Sequence, residues 1–321
     1  MADRTDKVED RRKPFYIKAF DYLAYLLFLF FEKIWLVLPR NIARKSGMAL
    51  GWLWYQIDWK HYTVAMRNLR MAFSAEKTPC EIKDICRKSF MHWGEVFIDL
   101  IRATEMTKEN KDEFFIYESA VDVESLIKEM IDTNKGVVAI SAHLGNQEML
   151  IGYVLKWGIG RENIITKRIK NPHLNRYIQS QREKLGVHVI PHRKSAKEII
   201  KRMQSGEITV FLLDQRASYH EGVRVNFFGE PVVAHKAVAQ LALFFELKVF
   251  PIFVIKNGDG RYRLILQDEL KLPKTGDLAV DTKNATQLFQ DVIEKMVREY
   301  PEQWLWQHNR WKYGAEAPYD L

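Results

Sequence analysis

Residues 137–140 read Val-Val-Ala-Ile, and Ser141-Ala142-His143 follow without a break. A short, unbroken run of apolar residues behind Gly136 is the pattern of a strand buried on both faces. Runs of the same kind return at Ile164-Ile165, Val187 to Ile190, Thr209 to Leu213, Val249 to Val254 and Tyr262 to Leu266. Helix-like stretches separate most of them, among them Asn171 to Lys184, Ser195 to Met203 and Ala234 to Phe245. Strands alternating with helices predict an α/β fold with a mainly parallel central sheet flanked by helices. Ligands of such sheets lie beyond the carboxyl ends of the strands, so His143 stands where a site is expected. A last helix is predicted by the shared apolar face of Phe289, Val292, Ile293, Met296, Val297 and Tyr300, with Pro301 stopping it.

Ahead of this core, taken as residues 131–321, lies a helical lead-in over 41–130. Its rings Trp52, Trp54, Tyr55 and Trp59 suit either packing or a membrane interface. Residues 1–19 form a polar head carrying Arg4, Lys7, Arg11, Arg12, Lys13 and Lys18. Residues 20–40 are expected to be an apolar membrane-anchor helix. Its uninterrupted run, Tyr22 to Phe31, is 10 residues long before Glu32 and Lys33 intervene. A helix needs ~20 apolar residues to span a bilayer, so spanning and lying in the interface both stay open. Basic residues flank both sides, with Arg40, Arg44 and Lys45 following, and orientation is not decided by them. No small-residue cleavage site follows the run, which argues against a removed signal peptide.

The chain has 321 residues, 47% of them hydrophobic and 28% charged, a composition that excludes disorder and low complexity. A formal net charge of +8 favours anionic partners, whether lipid headgroups, an acidic carrier protein or nucleic acid. No nucleic-acid motif or groove-reading basic helix is found, and no nucleic-acid partner is expected. Cys80 and Cys86 make neither a CxxC pair nor a disulfide framework, in keeping with a reduced, cytoplasm-facing protein.

The segment His143-Leu-Gly-Asn-Gln-Glu148 is the strongest local signal for chemistry. Gly145 permits a tight strand-to-helix turn. A carboxylate at Glu148, folding back toward the imidazole, would fix its tautomer and favour its protonated form. A histidine so oriented activates a hydroxyl nucleophile. Spacing alone is a weak signal, since a glutamate five positions after a histidine is common. It is also wrong for HExxH zinc binding, and His173, His188 and His192 are scattered, so no metal site and no cofactor are expected. No G-x-S-x-G nucleophile elbow occurs, which disfavours an α/β-hydrolase.

His143 to Glu148 resembles the HxxxxE form of the HxxxxD/E box of the lysophospholipid and glycerolipid acyltransferases. More particularly, the chain resembles the bacterial lipid A biosynthesis acyltransferases, in blocks that recur in order along almost its whole length. Asn68-Leu69 with Met71-Ala72-Phe73 is similar to the family's segment after its N-terminal helices. Lys167-Arg168, Asn171-Pro172 and Arg182 to Gly186 are similar to its basic stretch. Asp214-Gln215 followed by Gly222 to Gly229 is similar to a further block, and Tyr300 to Lys312 to its C-terminal one. His308-Asn309-Arg310 departs from the family's usual double arginine at the end of that block.

The resemblance implies an O-acyltransferase at the cytoplasmic face of the inner membrane, in contact with anionic lipids. It implies acyl carrier protein as thioester donor and a glycolipid acceptor, a Kdo-bearing lipid A precursor, whose hydroxyl attacks the thioester directly. His143 would be the general base and Glu148 its partner. Lys167, Arg168, Asn171 and Arg182 would meet substrate phosphate or a developing oxyanion, arginine through its planar fork. Asp214 would face the same cleft and orient a basic group or the acceptor, or else be a turn aspartate. Asn226 to Gly229 would shape a loop beside the cleft. Arg310, with Trp304, Trp306 and Trp311 nearby, would bind headgroup phosphate or stand on a packed tail. The rival readings are an acyltransferase acting on a phosphatidylinositol mannoside or a lysophospholipid, and a basic membrane-binding module without catalysis.

Overall fold

The computed structural model describes residues 14–157, 162–184, 186–191 and 195–312. Arg4, Lys7, Arg11, Arg12 and Lys13 of the expected basic head lie outside the described residues, as does His192.

Four helices lead in: α1 (Phe15–Val37), α2 (Arg40–Ile57), α3 (Trp59–Phe73) and α4 (Pro79–Arg102). Leu38 is extended because a residue before proline avoids the helical region, and Pro39 then opens α2. Asp58 caps α3 by accepting from the His61 amide at 3.0 Å. Thr78 and Glu81 form a capping box on α4, with Pro79 in the first helical position. Helices α2 and α4 cross in close contact: a Cβ at Gly51 or Gly94 would overlap the backbone of the facing helix.

The expected anchor helix over 20–40 is thus α1, from Phe15 to Val37, with Arg40 already in the next helix. No helix among the described residues is long and apolar enough to cross a membrane. The spanning form of the anchor therefore has no support, because Glu32 and Lys33 divide the apolar run. Glu32 is buried, taking the Tyr177 hydroxyl from the neighbouring helix Pro172–Lys184. The outer faces of α1 and α2 nevertheless carry exposed large apolar side chains, among them Phe15, Phe20, Phe30, Val37, Leu53 and Ile57.

The core is a seven-stranded sheet. Its strands are β1 (Phe115–Ser119), β2 (Val137–Ser141), β3 (Glu162–Thr166), β4 (Val187–Pro191), β5 (Ile208–Leu212), β8 (Val249–Lys256) and β9 (Tyr262–Leu266). Their order is β1-β9-β8-β2-β5-β3-β4, parallel throughout except for the β8–β9 pair. The mainly parallel α/β sheet expected from the sequence is present. Helices α5 (Lys111–Phe114), α6 (Val123–Thr133), α7 (Ile151–Trp157), α8 (Pro172–Lys184), α9 (Ala196–Met203), α10 (Ala237–Phe244) and α11 (Leu278–Glu299) complete the domain.

Central β2 is buried along its whole length. Val138 and Ile140 face a core with α3, α4, α10 and α11, while Val137 and Ala139 face a second one under α6 and α7. Phe289, Ile293, Met296 and Val297 of α11 are buried as its periodicity predicts, and Pro301 begins a separate 3-10 turn.

A two-stranded hairpin, β6 (Gly222–Phe227) and β7 (Glu230–His235), stands apart from the sheet. Asn226 to Gly229, expected to shape a loop beside the cleft, is the end of β6 and the hairpin turn, with positive φ at Phe228 and Gly229. Gln287 and Glu294 of α11 accept its amide protons. Phe227 and Phe228 are buried among Phe73, Trp304, Trp306 and Trp311, so the tail tryptophans are packing residues. Cys80 is exposed and Cys86 buried, both free, and burial pushes the Cys86 thiol up to about 12.

Candidate active site

Neighbouring parallel strands β2 and β5 pair with Ser141 opposite Leu212. Two residues further along each chain come His143 and Asp214, which the register carries to one place at the carboxyl end of the sheet. The His143 Nδ1 lies 2.9 Å from Asp214 Oδ1, and the His143 backbone N–H donates to Oδ2 at 3.0 Å. The Trp304 indole N–H also donates to Oδ2, at 2.9 Å. Asp214 is fully enclosed, so three donors replace the water it has lost.

Because Nδ1 faces a carboxylate, it carries the proton, and Nε2 keeps the lone pair. The Gln215 amide nitrogen lies beside both ring nitrogens, 3.3 Å from Nε2 and 3.5 Å from Nδ1. Burial disfavours the imidazolium, but the charge and hydrogen bond of Asp214, with the charge of Glu148, outweigh it and raise the His143 pKa. Burial likewise works against the Asp214 carboxylate, yet His143 and Trp304 bring it down to about 2.

The turn that aims His143 is held on every side. Gly145 has φ +64°, and a Cβ there would overlap the Val254 carbonyl oxygen. Its N–H donates to Gln303 O at 3.0 Å, and the next amide, of Asn146, donates to Val254 O at 3.0 Å. The Leu305 N–H reaches His143 O at 3.0 Å, tying the C-terminal segment to the same turn.

Glu148 does not take the place expected for it. Its carboxylate is bound by Arg182 through two hydrogen bonds, Nε to Oε2 at 2.9 Å and Nη2 to Oε1 at 2.5 Å. The 3-10 turn Gln147–Leu150 follows Asn146 directly and points Glu148 toward α8, while the carboxylate on His143 comes from the next strand. Arg182 in turn faces a carboxylate beside the site, and Glu148 is close enough for its charge to act on the imidazole.

The remaining expected residues divide. Lys167, exposed, and Arg168, half-buried, follow β3 at the same end of the sheet as His143. Asn171 is a capping residue: its Oδ1 accepts from the His173 and Leu174 amides and its Nδ2 donates to Asp21 O at 2.7 Å, joining α8 to α1. Arg310 is 1% exposed and bonds Gln290 Oε1 at 2.6 Å and Val233 O at 3.3 Å. A guanidinium spent inside the core does not face headgroup phosphate, and burial lowers it to about 10.

Trp304, Gln215 and His308, named in the sequence only as members of their blocks, also stand at the site. The His308 Nε2 lies 3.5 Å from the Arg216 amide, and burial depresses it to about 4 despite the Asp214 charge. Asp214, which the resemblance implied would face the cleft and orient a basic group or the acceptor, stands against the imidazole of His143. No group of acidic, histidine or cysteine side chains suited to a metal ion is found among the described residues.

The chain matches the family described as bacterial lipid A biosynthesis acyltransferase over residues 13–313. It is similar to a phosphatidylinositol mannoside acyltransferase of Mycolicibacterium smegmatis, 25% identical over 73% of this chain and 75% of that protein. It is similar to a lipid A biosynthesis palmitoleoyltransferase of Escherichia coli, 23% identical over 85% of this chain and 92% of that protein. A lipid A biosynthesis lauroyltransferase of the same organism is 23% identical over 88% of this chain and 90% of its own length.

Proposed function

The chain belongs to the bacterial lipid A biosynthesis acyltransferase family, and from that premise we propose that it moves a fatty acyl group from acyl carrier protein to a hydroxyl of a Kdo-bearing lipid A precursor. The observation that carries the chemistry is the 2.9 Å contact of His143 Nδ1 with Asp214, which leaves Nε2 as an oriented base. Nε2 takes the acceptor hydroxyl proton as that oxygen attacks the thioester carbonyl. The tetrahedral oxyanion collapses, the C–S bond breaks, and the imidazolium returns its proton to the leaving thiolate. Ester and free carrier thiol are the products. Asp214 holds the tautomer and offsets the positive charge on the ring throughout. The Glu148–Arg182 pair, with Lys167 and Arg168, gives the same end of the sheet side chains suited to phosphate or to the developing oxyanion. The exposed apolar faces of α1 and α2 support seating at an anionic membrane surface, where the acceptor resides.

The mannoside reading has its own support in the M. smegmatis relative. Acyl transfer from labelled acyl carrier protein, offered a Kdo-lipid A precursor, a phosphatidylinositol mannoside and a lysophospholipid in turn, separates the acceptors. Transfer to the first, lost in His143→Ala, is the expected result. Transfer to another acceptor alone removes the lipid A assignment, and undiminished transfer without His143 removes the base.

A further inference from the structure

We infer that Asn146 and Tyr262 are positioning residues, through which a buried charge cluster at the root of α4 holds the His143–Glu148 turn in working geometry; this rests on the reading of His143 as the base. Asn146 is wholly buried and uses both ends of its amide. Its Oδ1 accepts from the Glu148 backbone N–H at 3.2 Å, and its Nδ2 donates to the Tyr262 hydroxyl at 3.1 Å. That hydroxyl also accepts from Lys256 Nζ at 3.0 Å and donates its proton to Asp99. One donor and two acceptor sites are all a phenol has, so the Tyr262 hydroxyl is saturated.

The cluster behind it is equally complete. Lys256 donates to Asp99 at 2.8 Å and to the Tyr262 hydroxyl, and its ammonium pairs with the Glu95 carboxylate at 3.2 Å. Glu95 takes Arg44 of α2 as its second partner at 2.5 Å. Two cations face two carboxylates, so the group is neutral as a whole. Burial alone would raise the Glu95 carboxyl, but Lys256 and Arg44 hold it below the ordinary range. A second tether reaches the same turn from α4, where His92 Nε2 lies 2.9 Å from Gly145 O.

Among the described residues no member of this cluster bonds His143, and Tyr262 also packs in the core against Phe115. A salt cluster replaced by apolar residues is often no less stable, so its polar chemistry has another use. The feature that distinguishes it is its link to the Asn146 amide, which ends on the backbone of Glu148. The hydrogen bonds fix where the peptide after Gly145 lies, and with it the aim of both His143 and the Glu148–Arg182 pair. A misplacement of about 1 Å in such a site costs on the order of a hundredfold.

The test is a double-mutant cycle of Tyr262→Phe and Asn146→Ala in the full chain, reading kcat, KM for both substrates, the pH–rate limb, and hydrogen exchange of the 144–148 amides. Each single variant is expected to lower kcat about tenfold or more with both KM values and the limb unmoved. The double variant is expected to be no worse than the worse single, since one hydrogen bond joins the two residues. Exchange at 144–148 should rise in all three, while Asn146→Gln does not restore the rate. Additive losses, or a kcat within twofold of wild type in a folded variant, overturn the proposal. If Tyr262→Phe does not fold, Asn146→Ser alone carries the same kcat and exchange readouts. If wild type transfers nothing to any acceptor, the functional reading fails; exchange unchanged at 144–148 then still counts separately against the tether.

Discussion

His143 and Asp214 each stand two residues past the end of a strand, and the strands are parallel neighbours in register, Ser141 opposite Leu212. The 2.9 Å contact between imidazole and carboxylate follows from that register and not from any nearness in sequence.

The first expectation concerns pH. With His143 as the proposed base, transfer needs a neutral imidazole, and Asp214 with Glu148 raises the His143 pKa above 6.5 against the effect of burial. The acidic limb of the rate profile is therefore expected above that value. Asp214→Asn removes the charge, moves the limb down, and lowers kcat by about a hundredfold or more by freeing the tautomer. For stability the signs are opposed. A raised histidine stabilises below its unfolded pKa and loses that as pH rises through its folded one. The carboxyl of Asp214, held at about 2, stabilises above 3.8 and loses this as pH falls toward 2. A limb that stays in place in Asp214→Asn would separate the aspartate from the base.

The second concerns Glu148 and Arg182. Their two hydrogen bonds make them one unit, so Glu148→Ala and Arg182→Ala are each expected to lower transfer by about tenfold to a hundredfold. The double variant should lose little more than either alone. Arg182→Lys is expected to recover only part, because an ammonium does not span both carboxylate oxygens. Steady-state kinetics on wild type and the four variants decide it; strictly additive losses would mean the two act apart.

Strand runs such as 137–140 and 249–254, and the apolar face of the last helix, were legible because burial imposes a local pattern on them. The imidazole's partner was not legible in any local window, because a contact between parallel strands depends on their pairing; Asp214 entered only through the resemblance, as a residue orienting a basic group or the acceptor. Glu148 lay closer in sequence and carried the right chemistry, but the 3-10 turn after Asn146 directs it at α8. Arg310 misled for a related reason. Its neighbours are tryptophans, which suit an interface or a core equally, and Gln290 of α11 takes the guanidinium into the core.

The third expectation concerns the outer faces of α1 and α2. Phe20, Phe30, Val37 and Ile57 are exposed in a stretch that also bears Leu23 and Leu53. Burying one such side chain in an acyl layer contributes about 1.5–3 kcal/mol when complete. Phe20→Glu with Phe30→Glu is therefore expected to weaken binding to anionic vesicles by about a hundredfold or more. Transfer in detergent micelles should stay within about twofold, since both side chains are exposed on α1 and neither belongs to the proposed catalytic machinery. Vesicle sedimentation beside the micelle assay measures both, and unchanged sedimentation would remove these faces as the membrane contact.

The fourth concerns Glu162, the first residue of β3, buried beside Tyr153 in an apolar cavity that Val137, Met130 and Ile208 also line. Burial pushes its carboxyl up to about 8 from an ordinary 4.5. A carboxyl raised on folding stabilises the native state least when it must ionise. The penalty is absent below 4.5, grows as pH rises, and levels off above 8. At pH 7 it is about 3 kcal/mol, from 1.36 kcal/mol for each unit between 4.5 and 7. Glu162→Gln keeps the volume and removes the titration. Its melting temperature is expected to exceed that of wild type by several degrees at pH 8, with the two proteins nearly equal at pH 5. Denaturation measured across that range reads the slope directly, and parallel curves for the two proteins would mean that Glu162 has the same pKa folded and unfolded.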